Sequence, residues 1–224
     1  MVVILYIIVI LLLSAVIICI AGMRYNNPFE INFIFGTPGS GKSTISCAEQ
    51  YKHLHKGWSV YTDDSSSKVK GVKIYDSFAL KEGHFNPRQF EQDENKKICL
   101  FVDEAGLVWP NREFRTNFTQ ETLDWWKKHR HYKVKVYMCS QGANDVDLKL
   151  REMTSNYYLV KRSKWFFPQF ILVRRVFKTI DISKSITTDG DMIQEGGLSD
   201  IYKYGGFQIY YLPKWIKKFD SYRK

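Results

Sequence analysis

Residues 36–43 read Gly36-Thr37-Pro38-Gly39-Ser40-Gly41-Lys42-Ser43. They fit G-x-x-x-x-G-K-[ST], in which glycines let backbone N–H groups curl around phosphate oxygens. Such a loop works only between a buried strand and the N-terminus of a helix, whose dipole adds positive charge. The flanks comply: Ile31–Phe35 is a short apolar run, and Ser43–Lys56 reads as a helix with Ile45, Ala48 and Tyr51 at core spacing. On this reading Gly36, Thr37, Pro38, Gly39, Ser40, Gly41, Lys42, Ser43 and Thr44 cradle a nucleoside triphosphate. Lys42 reaches its β- and γ-phosphates and the Ser43 hydroxyl holds Mg²⁺. The alternative is a glycine-rich turn that binds nothing.

Downstream, the chain alternates strands and helices, the pattern of a mostly parallel α/β sheet flanked by helices. Strands are expected at Trp58–Thr62, Val72–Tyr75, Ile98–Val102, Val134–Ser140 and, as the last of the sheet, Tyr157–Val160. Asp63 to Gly71 reads as a polar, serine-rich loop, and Lys81 to Lys97 as loop and short helix. Thr119–His131 reads as a helix capped by Thr119, and Val146, Leu150 and Met153 mark another at i, i+4, i+7. Ile98–Val102 ends in Asp103-Glu104. A nucleotide hydrolase needs acids there: Asp103 to hold Mg²⁺ through its water shell, Glu104 to polarise the attacking water as general base. The plain alternative is a solvated strand end. Gln141, after Val134–Ser140, suits a sensor of the γ-phosphate, or is an ordinary loop amide. Arg130, between His129 and His131, stabilises a helix C-terminus by its charge alone. Its functional alternative is to reach a neighbouring subunit's nucleotide, a role for which Arg112, Arg115 and Arg151 compete.

Val2 to Ala21 is apolar except for Tyr6, Ser14 and Cys19, and carries no charge. As a helix it spans roughly 30 Å, a bilayer core. A secretory signal would need a basic leading segment and a small-x-small cleavage site. Residues 1–23 are therefore expected to anchor the chain in a membrane. Arg24 and the basic body place the rest in the cytoplasm. Residues 24–162 form the nucleotide-binding core, and 163–224 a basic, aromatic, β-rich extension of the same domain. With 45% apolar and 25% charged residues the body is folded rather than disordered. Its net charge of +10 suits nucleic acid or an anionic leaflet without choosing between them. Cys19, Cys47, Cys99 and Cys139 read as reduced buried residues, and His129 and His131, two apart on a helix, make a poor metal pair. Lys161 to Ile180 holds Lys161, Arg162, Lys164, Arg174, Arg175 and Lys178 and no acid. Trp165, Phe166, Phe167, Phe170 and Phe177 are interleaved, and Pro168 marks a turn between two strands. Such a run suits nucleic acid, anionic lipid, or a plain solvated hairpin. The tail from Tyr202 is also aromatic and basic, with Tyr210, Tyr211 and Trp215 beside Lys214, Lys217 and Lys218.

The order of the phosphate-binding loop, Val102-Asp103-Glu104-Ala105, Arg130-His131, Ser140-Gln141 and a helix with Asp147 and Arg151 resembles the zonula occludens toxin-like (Zot) ATPases. That family includes the assembly ATPase of filamentous phages. The resemblance covers about residues 30 to 162, and Phe219-Asp220-Ser221-Tyr222 is weakly similar to the end of that domain. It implies the additional-strand class of P-loop NTPase (ASCE, RecA/FtsK-HerA-like). It also implies an oligomeric, virus-encoded inner-membrane ATPase that drives DNA or virion passage. Lys42, Ser43, Asp103 and Glu104 carry over in the roles given, Gln141 as sensor and Arg130 in trans. One departure is that the phage proteins place the ATPase before the span, whereas here the apolar run comes first. An anchored ATPase of this size also resembles the genome-packaging ATPases of membrane-containing viruses. The expectation is a Mg²⁺-dependent, membrane-anchored ATPase, working as a homo-oligomeric ring with nucleic acid and viral assembly or capsid proteins. A nucleotide-gated membrane scaffold with little turnover is the alternative of another class.

Overall fold

The computed structural model describes residues 2–23, 27–113, 115–162, 169–178 and 202–216. Helix α1, Val2–Met23, carries no charge. Its described side chains, Tyr6 to Ile17, are all exposed. Among the described residues no helix is long and apolar enough to cross a membrane. Arg24 lies outside the described residues.

Then follow β1 Ile31–Phe35, α2 Lys42–His55, β2 Ser59–Thr62, β3 Lys73–Ile74, α3 Ser77–Lys81, β4 Ile98–Val102 and α4 Ala105–Val108. After them come α5 Gln120–Lys128, β5 Val134–Ser140, α6 Leu148–Met153, β6 Asn156–Arg162, β7 Phe170–Lys178, β8 Tyr202–Tyr211 and α7 Leu212–Ile216. The strands make one sheet in the order β3-β2-β4-β5-β1-β6-β7-β8. From β3 to β6 every pair is parallel, while β7 and β8 join antiparallel. Strand β5 thus lies between the phosphate-loop strand β1 and the acid-tipped strand β4. β1 and β4 are buried at every position, as strands covered on both faces must be.

Alternation along each strand sends side chains to opposite faces. Phe33, Leu100, Val102 and Met138 pack with Trp109 and Trp126 on the face of α4, α5 and α6. Ile34, Phe101 and Cys139 pack with Ile45 and Ala48 of α2 and Trp215 of α7 on the other. Cys47, Cys99 and Cys139 are buried, and among the described residues none is in a disulfide. Thr119 caps α5, its hydroxyl accepting the Thr122 N–H at 3.2 Å. Asp147 caps α6, accepting the Lys149 N–H at 2.8 Å and the Asn117 amide at 2.8 Å.

Three sequence expectations are corrected. The sheet does not end at Tyr157–Val160, because β6 gives its free edge to β7, and β7 to β8. Helix α5 stops at Lys128, leaving Arg130 in the following turn. Val146 precedes α6 and forms an isolated bridge with Pro110. The expected turn at Pro168, with Lys164, Trp165, Phe166 and Phe167, lies outside the described residues, as do Lys217, Lys218 and Phe219 to Tyr222.

His53 ties α2 to this core. Its Nδ1 lies 2.9 Å from the Glu49 carbonyl, and its ring meets Trp58 and Tyr137 edge-on. Burial pushes its pKa below the ordinary 6.5, with Lys135 and Lys56 adding to the effect against the Glu49 carbonyl bond. The unfolded chain then binds more protons, so this contribution is whole above pH about 6.5 and fades as pH falls through the lowered value. Thermal midpoints measured between pH about 5 and 8 should decline on the acid side, less steeply in His53→Gln.

Candidate functional site: a phosphate loop at the carboxyl edge of the sheet

In parallel sheets, ligands bind where strands end and loops begin. Here Phe35 pairs with Ser140, Val102 with Met138 and Thr62 with Phe101, so four loops leave one edge side by side. They begin at Gly36, Gln141, Asp103 and Asp63.

The loop from β1 is built by close approach and unusual backbone. A Cβ on Gly36 would lie 2.6 Å from the Val160 carbonyl oxygen of β6, so the loop hugs that strand. Gly39 and Gly41 have φ of +74° and +104°, values costly for residues with side chains. Gly41 then opens α2, whose first turn holds no acid to oppose an anion. Lys42 is buried, and its Nζ donates to the Gly36 carbonyl at 2.8 Å and more distantly to Thr37 at 3.5 Å. The ammonium is therefore held over the loop that phosphates would enter. Ser43 is half-buried in the first turn of α2.

Two steps across the sheet, Asp103 and Glu104 leave β4. Burial pushes the Asp103 carboxyl up to about 6; Asp64 and Glu104 add to this and Lys42 opposes it. Glu104 has φ 50° and ψ 53°. That left-handed conformation costs a residue with a Cβ about 1–2 kcal/mol. Backbone strain of this kind concentrates at functional positions. Gly106, in the next turn, is held against the β5 loop: a Cβ there would lie 3.1 Å from Ser140 Oγ and 3.0 Å from Asp145 Cβ. Asp145 in turn accepts the Gly142 N–H at 2.7 Å, bracing the loop that presents the exposed Gln141.

Sequence reasoning missed Asp63. It ends β2, next to β4, and its Oδ1 accepts the Asp103 backbone N–H at 2.7 Å. Burial lifts its carboxyl to about 7; the Asp103 N–H bond opposes this and the Asp103 charge adds to it. The signal was present: Tyr61-Thr62-Asp63-Asp64 repeats, one strand over, the apolar-strand-then-two-acids pattern of Phe101-Val102-Asp103-Glu104.

The structure brings Lys42, Ser43, Asp103, Glu104 and Gln141 to this edge and leaves Arg130 out. Arg130 precedes β5 at the opposite edge, where the Lys133 carbonyl accepts the Ile98 N–H, so it does not serve its own loop. Arg151 is buried and donates to Asn144 at 3.1 Å. Arg112 is exposed in the turn Asn111–Glu113 that follows α4. Hydroxyl and carboxylate oxygens suit Mg²⁺, which keeps several waters and shares its shell with nucleotide phosphates. Ser43 and Asp103 offer those atoms, and the half-buried carboxyls of Asp63, Asp64 and Asp103 beside them favour a cation. Among the described residues no three His, Cys, Asp or Glu side chains are arranged to hold a metal ion by themselves.

The family model for zonular occludens toxin (Zot) matches residues 30–165. Among solved structures, the chain is similar to the N-terminal domain of zonular occludens toxin from Neisseria meningitidis. Identity is 23%, coverage 66% of this chain and 83% of that one, and the TM-score 0.49. It is also similar to the genome packaging NTPase B204 of Sulfolobus turreted icosahedral virus 2. In complex with AMPPCP that protein is 15% identical, with coverage of 66% and 92% and a TM-score of 0.52. In complex with ATP-gammaS the values are 14%, 66%, 92% and 0.51. The B204 likeness shows a shared fold. No curated protein sequence matches the chain.

Proposed function

We infer that this chain, which belongs to the zonular occludens toxin (Zot) family, is an ATPase that drives viral assembly, by virion export or by DNA translocation. The observation that carries the reading is the meeting of Lys42 and Ser43 with Asp103 and Glu104 at one sheet edge, across the intervening strand β5. Each of these residues has work to do in an in-line attack of water on the γ-phosphate. The loop N–H groups and Lys42 hold the phosphates, with Lys42 exchanging loop carbonyls for phosphate oxygens. Ser43 and Asp103 would hold Mg²⁺, which supplies positive charge to the β- and γ-oxygens when bound. Glu104 accepts the proton of the attacking water. Gln141, on its braced loop, meets the γ-phosphate or that water. B204 is a genome packaging NTPase of this fold, which supports the translocation form of the reading.

Residues 1–23 serve in this proposal as the membrane anchor, on the strength of the uncharged apolar run Val2 to Ala21 in the sequence. The body stands in the cytoplasm or on a virion's internal membrane. Residues 27–30 enter β1 at the amino edge, so the nucleotide edge faces away from the anchor. The working form is a homo-oligomeric ring. Arg130 and Arg112 are the cations that would serve a neighbour's nucleotide, and viral assembly or capsid proteins are the other partners.

The test is ATP hydrolysis by the full chain in lipid, with and without single- and double-stranded DNA, beside Lys42→Ala. Turnover that rises with DNA and is lost in the variant supports a translocase. Turnover indifferent to DNA favours virion export through protein partners. Nucleotide binding without turnover would replace the motor by a nucleotide-gated scaffold.

A further inference from the structure

Strands β6, β7 and β8 carry Lys161, Arg162, Arg174, Arg175, Lys178 and Lys203 and not one Asp or Glu. Their two faces differ sharply. On one, Ile171, Val173 and Tyr210 are buried against α2 and α7. On the other, Phe207, Ile209 and Tyr211 are 65%, 59% and 49% exposed. The register pairs Tyr211 with Phe170, Ile209 with Leu172, and Phe207 with Arg174. Phe170 is 38% exposed, and its ring centre lies 5.5 Å from that of Tyr211. Lys161 pairs with Leu172 and so joins the same face. The result is an antiparallel surface of exposed aromatics with exposed cations, Lys161 and Arg174, set among them.

We propose that this face, with Phe170, Phe207 and Tyr211 as stacking rings and Lys161 and Arg174 as phosphate contacts, is the landing surface for single-stranded nucleic acid. The proposal deepens the translocation reading and rests on it. Phe207 and Tyr211, four residues apart on β8, stand about 13 Å apart, so the Phe207 ring and the Phe170–Tyr211 pair can each take a separate base of an extended strand. Stacking on aromatic faces with cations tracking the backbone is how proteins hold single strands without reading sequence. A duplex keeps its bases stacked on one another and offers these rings nothing. A second copy of the chain has no reason to meet an aromatic surface whose described strands carry cations and no carboxylate. A bilayer is disfavoured by position, because Phe170 and Tyr211 sit at the carboxyl edge and the anchor enters at the amino edge.

The placement also explains why a motor would bind its track here. Ile171, between Phe170 and Leu172, turns to the opposite face, and its Cδ1 lies 2.4 Å from where a Gly41 Cβ would stand. Tyr210, between Ile209 and Tyr211, donates its hydroxyl at 2.6 Å to Glu49 of α2. Both strands of the surface are therefore fastened from behind to the phosphate loop and its helix. A strand seated in front shifts nucleotide affinity, and nucleotide shifts strand affinity by the same factor.

The experiment is fluorescence anisotropy of a labelled oligothymidylate of about 20 nucleotides, titrated with the full chain in lipid and without nucleotide. Phe207→Leu with Tyr211→Leu keeps apolar bulk and removes the ring faces. It should weaken binding about tenfold or more. Lys161→Gln and Arg174→Gln should each lower the slope of log affinity against log salt by about 0.7. A duplex of the same length should bind more weakly and ignore the leucine pair. Thermal midpoints report whether each variant folds, and Phe170→Leu repeats the test at a separate position. Wild-type affinity in the folded leucine pair would overturn the proposal, as would a preference for duplex. So would a leucine pair that instead lost oligomer mass or binding to anionic vesicles. Because ATP is absent, a chain without turnover can still pass, and a working ATPase can still fail.

Discussion

Glu104→Gln is expected to lower ATP turnover about 10²–10⁴-fold, the usual worth of a positioned general base, with ATP affinity nearly unchanged. The amide has the shape of the carboxylate and keeps an acceptor oxygen, but cannot take the proton from water. It leaves the left-handed backbone of Glu104 as it is, so its effect on folding should be slight. Single-turnover hydrolysis beside equilibrium binding of a fluorescent ATP analogue separates the two quantities. A variant that still turns over at the wild-type rate would move the proton acceptor elsewhere. Asp63, on the adjoining strand with a carboxyl near 7, is the next group in reach of the same space.

Gly36→Ala should be strongly damaging, because its added methyl meets backbone. Its Cβ would lie 2.6 Å from the Val160 carbonyl oxygen and 2.9 Å from Ser40 Oγ. Ser40 can turn aside. Val160 cannot, because β6 is paired on both sides, to β1 and β7. The loop must therefore lift off the sheet, at the about 1–3 kcal/mol typical of overpacking. ATP affinity should fall at least about tenfold, the equivalent of ~1.4 kcal/mol. Gly39→Ala is the matched comparison. Nothing lies within 4 Å of its Cβ, so only its φ of +74° is penalised. Chemical denaturation with ATP titration should rank Gly36→Ala the more severe in both readouts. The reverse order would mean that backbone freedom, not close approach, governs this loop.

What could be read from the sequence was what the chain encodes locally. The phosphate loop, the acid pair after β4 and the Thr119 cap are each spelled out within a few residues. Residues joined only by pairing were harder. β7 and β8 are apolar and aromatic like any strand, and nothing in Phe170–Lys178 says that it continues the sheet rather than forming a separate hairpin. Asp63 was hidden by the serines after it, since a polar loop hides the strand end that aims its first residue. Arg130 could have been placed from order alone: a residue just before a parallel strand sits at the edge opposite the loops that follow such strands.

The position of β1 bears on how the protein is made. Asn32 of that strand hydrogen-bonds to Val136, 104 residues later, and to Asn156, 124 residues later. The nucleotide loop therefore leaves the ribosome among the first parts of the body but has no neighbouring strand until β5, and then β6, emerge. Contacts so distant in sequence form late. Until β5 emerges the chain carries an apolar helix and an unpaired apolar strand together, when aggregation is most favoured. On the anchoring proposed above, early capture of α1 by a membrane would hold that strand apart from its copies until its partners arrive.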